Sequence, residues 1–497
     1  MKLNLQGGSL LWLRRDLRIM DNNLVKHAIS KRKKMFFCFV FDNVILEDIK
    51  SSPFTEKDDK SLYVDRRVGF IHNTLAEIKK DLQQIGSDLL IFYGDPVELI
   101  PKIAITIKAG TVLWTKDYEQ YARRRDDKIS TSLESLNINP ISIKNQCIFE
   151  ESEVLTNDGN PYTVFTPYKK KWLTILGDSQ NPWEGYSVKQ LSECVAKVDF
   201  PEDMPELEEF GFSSMSKKIK IKSGSDGAEE LVKDFFKVIE TYEFARNFPA
   251  KKGVSYLSTH FRFGTLSVEK IVHTLLKLIP EFEEKRTSTT GIHAWLSELI
   301  WRDFYMQILF HFPHVESSCF KKKYDNLVWE DDSELFHKWT VGQTGYPIVD
   351  AGMRQLNETG YMHNRLRMVT ASFLTKDLGI NWQEGERYFA NKLLDFDLSA
   401  NNGGWQWAAS TGCDAQPYFR IFNPTSQAKK FDPDGEFIKK YVGELRELPR
   451  KLIFEPWKIT TLVEGEREIN YTKRIIDHDE ARKKTLKRFL AISENNQ

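Results

Sequence analysis

From Asp395 to Trp407 the chain reads Asp-Phe-Asp-Leu-Ser-Ala-Asn-Asn-Gly-Gly-Trp-Gln-Trp. Two carboxylates, two amides, two glycines and two indoles share one short run. A solvated loop would account for the acids, amides and glycines. It would gain nothing from Trp405 and Trp407, whose large apolar rings are normally buried. Glycine removes the side chain and lets a flat group come close to the backbone. The run fits an aromatic-walled pocket for a planar, hydrogen-bonding ligand, and core packing around an ordinary loop fits it too.

Two further stretches could contribute to such a pocket. Over residues 361–378 the 3.6-residue period puts Met362, Leu366, Val369 and Phe373 on one stripe facing the core. Asn364, Met368, Ala371 and Thr375 line the other side, with Arg367 beside them. An amide, a thioether and small residues do not make a solvated face, and Met makes good contacts with flat rings. Over residues 295–305, Trp295, Glu298, Trp301, Arg302 and Tyr305 share a helical face. A carboxylate between tryptophans is costly to bury unless it is paired or used; a rim pair with Arg302 is the plain alternative. Gly253-Val-Ser-Tyr-Leu-Ser-Thr259 precedes another helical pattern. Its hydroxyls suit a helix cap or a phosphate. Trp329 and Trp382 are isolated in sequence, and each alone reads as an ordinary core aromatic.

The elements that position these residues follow from pattern and composition. With 497 residues, 41% hydrophobic and 29% charged, the chain is a globular protein of two or three domains. Lys+Arg equals Asp+Glu, so a nucleic-acid partner would need a local basic patch. The five cysteines are scattered without a CxxC pair, which argues against a metal or disulfide framework and favours a reducing cytoplasm. The start lacks the order of a signal peptide, and no apolar stretch approaches a membrane span. Short apolar runs at Ser9–Leu13, Met35–Phe41, Asp88–Tyr93 and Thr111–Trp114 alternate with helical stretches such as Arg67–Ile85. That order predicts a doubly wound parallel sheet, an α/β Rossmann-like domain over 1–130. No GxGxxG follows the first strand. Arginines between Trp12 and Asn22 suit a solvated loop or a bridge to a neighbouring domain, and Arg123–Arg125 reads as helical surface charge. Residues 131–227 read as a linker, with Asn/Asp/Gly turns, acids over Glu202–Glu209 and lysines over Lys217–Lys222. Residues 228–480 read as an all-α domain carrying the chemistry, and 481–497 as a C-terminal tail.

Taken together, Trp295-Leu-Ser-Glu-Leu-Ile-Trp-Arg-Asp-Phe-Tyr305, Thr344-Gly-Tyr-Pro-Ile-Val-Asp-Ala-Gly-Met-Arg354, Met362-His-Asn-Arg-Leu-Arg-Met368, Asn401–Thr411 and Tyr418-Phe-Arg-Ile-Phe-Asn-Pro424 resemble the photolyase/cryptochrome family. The likeness is strongest to its class I cyclobutane pyrimidine dimer photolyases and runs over nearly the whole chain. It implies an N-terminal α/β antenna domain, a linker and a helical domain holding FAD, used as the reduced anion FADH⁻. By position, Tyr242, Ser255, Leu257 and Ser258 fall at the FAD phosphates, with Tyr256 beside them. Val254 departs from the Thr common there, at the cost of one side-chain hydrogen bond. The implied cofactor set continues through Trp295, Glu298, Arg302, Tyr305, Asn364, Arg367, Asp395, Phe396, Asp397 and Asn401. Of these, Arg367 and Asp395 form an ion pair over the flavin, and Asn401 stands beside N5.

The resemblance assigns the remaining residues as well. Trp405, Trp382 and Trp329 correspond to an electron-transfer chain from flavin to surface. Trp301 and Trp407 flank a flipped-out dimer, Glu298 bonds a thymine carbonyl, and Asn364 and Met368 meet the other base. Arg246, Arg365, Arg420, Gln427 and Lys430 are implied phosphate contacts, which position a duplex rather than read it. Glu119 aligns with a carboxylate that holds methenyltetrahydrofolate in some relatives, while others carry a deazaflavin as antenna. No metal is implied. The expected function is light-driven repair of UV-damaged DNA by a cytoplasmic monomer. A signalling cryptochrome, a (6-4) photolyase and an aromatic-walled binding module are the alternatives.

Overall fold

A computed structural model describes residues 4–178, 184–198, 203–284, 288–461 and 470–494. Glu202, at the start of the expected acidic stretch, and the last three residues of the expected tail lie outside them. By its own contacts the chain divides into two units. One comprises Met1–Tyr162, Pro167–Lys237 and Ser255–His311; the other comprises Thr163–Thr166, Val238–Val254 and Phe312–Gln497.

The first unit is built on a five-stranded parallel sheet. Strands β1 (Ser9–Leu13), β2 (Met35–Asp42), β3 (Leu89–Gly94), β4 (Thr111–Thr115) and β5 (Asn139–Ile143) lie in the order β3-β2-β1-β4-β5. β1, β2 and β4 are buried along their whole length, as continuous apolar runs covered on both faces must be. Trp12, Phe36, Ile100, Trp114, Ile129 and Leu133 pack into the core of this unit. β5 falls in the segment expected to be linker. Its Pro140 and alternating polar residues hide the strand pattern, and Pro is tolerated because β5 is an edge strand.

The Ser255–His311 segment, expected with the helical domain, groups with this sheet. The loop after β1 explains why. Leu17 N donates to the Phe263 carbonyl at 3.0 Å, and Arg18 Nη1 donates to the Gly264 carbonyl at 2.8 Å. Gly264 has φ +67°, and a Cβ there would stand 2.0 Å from the Arg15 carbonyl oxygen. Arg18 thus reaches a segment expected in the other domain, but the tie is made within one unit rather than between two. Arg125 does not follow its expectation as surface charge: it is buried, paired with Asp42 and Asp126, both at 3.1 Å.

The second unit is helical. The stretch 361–378 is not one α-helix. It begins at Asn364, capped by His363, runs to Ser372 and widens into a π-helical turn over Phe373–Asp377. The wider turn directs the Lys376 ammonium inward to the Ala409 carbonyl (3.0 Å) and Ser410 Oγ (2.9 Å), 4.0 Å above the Phe489 ring. Phe489 belongs to the His478–Glu494 helix. Much of the expected tail is thus a packed helix, held also by the His478 Nδ1–Asp377 Oδ1 contact at 2.5 Å.

Candidate functional site

The opening run is mostly a helix, Leu398–Ala409, rather than a loop. Asp397 is its N-cap and accepts from the Ala400 amide at 3.2 Å and from the Ser399 hydroxyl, as short acidic side chains do at helix starts. The helical repeat then sorts the polar residues. Asn401 and Trp405 form one i, i+4 pair, Asn402 and Gln406 the next.

Just before the cap, Asp395 receives both of its oxygens' bonds from Arg367 Nη2, at 3.0 and 2.7 Å. Arg367 Nε donates to the Met362 carbonyl at 2.8 Å, so the guanidinium is fixed at two points. Along the same stretch Met362, Leu366, Val369 and Phe373 are buried, as the stripe requires. Asn364 is exposed and Arg367 and Met368 are half-buried, while Ala371 and Thr375 are closed in. The second face is therefore open only at its first two turns. Asn401 Nδ2 donates to the Glu386 carbonyl at 3.1 Å. That bond orients the amide and leaves Oδ1 as its accepting end.

Two of the three tryptophans are buried and the third is partly open. Trp405 is 2% exposed, Trp382 is 1% exposed and Trp329 is half-buried. Trp405 meets Phe389 edge-on at 4.9 Å and Trp339 at 6.1 Å. Its ring rests on Gly385, where a Cβ would stand 2.1 Å from Trp405 Cη2. Trp382 lies three residues before Gly385 on the same helix, hence on the same face. Trp329 is brought to the start of that helix by the Glu330–Ile380 bridge, with Glu330 N donating to the Gly379 carbonyl at 2.8 Å. It packs on Leu327, Phe489 and Ile492.

A basic patch gathers in the same unit. Arg365 Nη2 donates to Asn247 Oδ1 at 2.6 Å and lies 4.2 Å over the Phe431 ring. Burial, and then the Arg246 guanidinium, lowers the Arg365 pKa; two cations held near each other suit an anion. Arg246 lies over the Tyr242 ring at 5.6 Å. Gln427 and Lys430 are on the Pro424–Phe431 helix that supplies Phe431, and Gln427 Oε1 is buried without a partner among the described residues. Arg420 is exposed, and half-buried Trp407 meets Phe422 at 6.4 Å.

In the first unit, the Thr290–His311 helix carries the second face. Trp295 is buried among Phe235, Phe236 and Phe261. Glu298, Trp301, Arg302 and Tyr305 are half-buried along one side, with Trp301 and Tyr305 stacked at 5.4 Å. Arg302 donates to the Gln146 carbonyl and, at 3.3 Å, to that of Phe261. Asp303 anchors the helix from behind, accepting at Oδ2 from the Ile148 amide, the Phe149 amide and Trp172 Nε1. Ser255 and Tyr256 are half-buried, Leu257 is buried and Ser258 exposed; Tyr256 adopts φ +56°, rare for an aromatic residue. Val254, half-buried, ends the Val238–Val254 segment of the other unit. Glu119 accepts from Arg15 (3.0 Å) and Arg262 (2.9 Å). Lys217 and Lys222 pair with Glu206 and Glu230 on the surface, as a solvated linker would.

Gly385, Trp339, Phe389 and Glu386 belong to the site but carry no sequence signal of their own. The three-residue step from Trp382 to Gly385 is the only hint, and it has meaning only once Trp405 is known to rest there. Among the described residues no cluster of His, Cys, Asp or Glu is placed to hold a metal, and no helix is long and apolar enough to cross a membrane.

Comparison with known proteins agrees with this arrangement along the chain. Residues 9–184 match the family model for DNA photolyase, and residues 295–491 match the FAD binding domain of DNA photolyase. A deoxyribodipyrimidine photo-lyase of Synechococcus sp. is 38% identical over 452 residues, 89% of this chain and 90% of its own. A bacterial class III photolyase from Agrobacterium tumefaciens shares the fold with a TM-score of 0.84 at 30% identity, covering 99% of this chain and 98% of that one. The archaeal photolyase of Sulfolobus tokodaii, solved with two FAD molecules, gives a TM-score of 0.77 at 30% identity, covering 97% of this chain and all of that one. An FAD-binding helical unit, a parallel α/β sheet and relatives matched nearly end to end lead to one conclusion: this chain belongs to the DNA photolyase family.

Proposed function

We propose that the protein repairs cyclobutane pyrimidine dimers in DNA, using light absorbed by FAD held as the reduced anion. The observation that carries this reading is the pairing of a fixed guanidinium with an accepting amide. Arg367, held by Asp395 and the Met362 carbonyl, supplies positive charge for an anionic ring. Asn401 offers Oδ1 to a ring N–H without adding a charge of its own. An ionised Asp at this position would oppose the anion. These two residues fit a reduced flavin. Asp395, Phe396 and Asp397 complete that wall, with Tyr242, Val254–Ser258, Trp295, Arg302 and Tyr305 as the remaining FAD contacts. When bound and reduced, FAD supplies the photoexcited electron and takes it back after the dimer splits.

The chain's own groups do the rest. Arg246, Arg365, Arg420, Gln427 and Lys430 take phosphates and set the duplex in position without reading sequence. Trp301 and Trp407 present flat faces to the extruded dimer, and Asn364 and Met368 meet one of its bases. Extrusion costs least at a damaged pair. Glu298 bonds a thymine carbonyl and stabilises the dimer radical anion while the two carbon–carbon bonds of the cyclobutane ring break. No net oxidation results. Trp405, Trp382 and Trp329 serve the separate task of feeding an oxidised cofactor with electrons from the surface.

The antenna domain is proposed to run from residue 1 through β5, followed by the linker to 227 and by 228–480 as the catalytic domain of a cytoplasmic monomer. The second chromophore is a folate or a deazaflavin, with Glu119 as its contact. The test is Glu298→Ala: repair yield per absorbed photon falls at least tenfold while affinity for dimer-containing DNA changes less than threefold. Equal losses in both would leave Glu298 only a binding role, and a flavoprotein without repair would point to a signalling cryptochrome.

A further inference from the structure

Glu386 is a buried carboxyl to which repair assigns no task. It lies on the Trp382–Lys392 helix directly after Gly385, and is 8% exposed. Its backbone carbonyl accepts from Asn401 Nδ2 at 3.1 Å, and its Oε1 accepts from Asn402 Nδ2 at 3.0 Å. One residue thus holds both amides of the Asn401–Asn402 pair. Asn402 is engaged on its other sides, donating to the Val315 carbonyl at 2.8 Å and accepting from Gln406 Nε2 at 3.0 Å. The carboxyl cannot leave this network without breaking it.

The charges around Glu386 are few. Arg387 on its own helix favours ionisation, and Glu316 on the Pro313–Glu316 turn opposes it. The Leu398–Ala409 helix faces it with amides. In the Phe373–Asp377 turn, Lys376 is directed to Ala409 and Ser410, and Asp377 to His478. Burial dominates and pushes the carboxyl up to about 7, against the smaller opposing effects of the Asn402 hydrogen bond and Arg387. A group poised there changes its protonation on a small change of local charge.

We propose that Glu386 is a positioning residue whose proton follows the charge of the flavin, bound when the cofactor is the reduced anion and released when it is oxidised. This rests on the placement of Asn401 beside the flavin ring. Reducing FAD to FADH⁻ consumes two electrons from an external donor and one proton. A second proton passes from solvent to the Glu386 carboxylate, forming an O–H bond and cancelling the added negative charge. On oxidation that bond breaks and the proton returns to solvent. Oε1 accepts from Asn402 whether the group is carboxyl or carboxylate, so the amides stay in register.

The experiment is electrochemical reduction of the holoenzyme at pH 7, counting protons taken up. The wild type takes up more than one proton per two electrons, and Glu386→Gln takes up one. From pH 7 upward the midpoint potential falls more steeply for the wild type than for Glu386→Gln, and Glu386→Asp restores part of the slope. A wild-type-like count and slope in Glu386→Gln would overturn the proposal. So would a wild-type count of one proton, which decides the matter even if Glu386→Gln does not retain FAD. Asn401→Ala separates two failures. If it shifts the potential while Glu386→Gln does not, the role of Glu386 falls alone; if Asn401→Ala leaves the potential unmoved, the placement of Asn401 falls with it.

Discussion

A hydrogen atom in place of a side chain seats the first ring of the tryptophan series. A Cβ on Gly385 would stand 2.1 Å from Trp405 Cη2 and 2.5 Å from Leu374 Cδ2. Neither neighbour has room to yield, because Trp405 is wedged by Phe389 and Trp339. Gly385→Ala should cost about 1–3 kcal/mol, the usual range for overpacking a tight core, read as a lowered urea midpoint. Photoreduction of oxidised FAD should slow more than repair by enzyme reduced beforehand, because in the function proposed above only the first process runs through Trp405. An equal slowing of both would show a general distortion of the flavin wall instead. At this scale the tryptophans themselves were legible: an indole costs too much to leave in a loop, so its presence announces a packed site. Gly385 and Glu386 were not. A helical glycine looks like any other until its neighbour is known, and a Glu–Arg dipeptide reads as surface charge until burial is seen.

Among the elements, the helix at Asn364 couples structure to acidity. His363 is its N-cap: buried, accepting from the Arg365 amide at Nδ1 (3.2 Å), with Nε2 buried and unpartnered among the described residues. Burial first, then Arg367 and Arg365, holds its pKa down to about 4, from 6.5. The folded state thus resists a proton that the unfolded chain accepts. The stability His363 contributes is present above pH 6.5 and is lost as the pH falls toward 4, by up to about 3 kcal/mol. Asn also caps helices well and does not titrate. His363→Asn should therefore flatten the loss of stability between pH 6.5 and 4, measured by urea unfolding at several pH values; an unchanged slope would assign the acid sensitivity to other groups, buried His260 among them. Apolar periodicity marked where this helix faces the core, since that stripe depends only on which residues are oily. It missed the change to a π-turn after Ser372, because the turn is set by Lys376 reaching Ala409 and Ser410, a contact across the fold. β5 was missed for a similar reason: an edge strand need not be apolar, and Pro140 imitates a turn.

For the whole molecule, α/β order and helical order were both legible, because alternating short apolar runs and sustained 3.6-residue periods differ along hundreds of residues. The grouping of Ser255–His311 with the sheet was not, since the Phe263 and Gly264 carbonyls that accept from the Leu17 amide and the Arg18 guanidinium leave no mark in composition.

That grouping bears on how the protein is made. All three segments of the first unit have been synthesised once His311 leaves the ribosome, whereas Val238–Val254 belongs with chain that follows Phe312. Asn247 must wait for Arg365, and Phe248 for Phe431. Nascent chains stalled at the length at which His311 has just left the exit tunnel should resist proteolysis over the sheet while remaining cleavable near Lys251 and Lys252. Chains stalled well past Phe431 should be protected at both places. Protection near Lys251 in the shorter chains would mean that this segment finds other partners first. During synthesis, the segment carrying Tyr242 and Arg246 is a reserved seat, filled only when the C-terminal helices arrive.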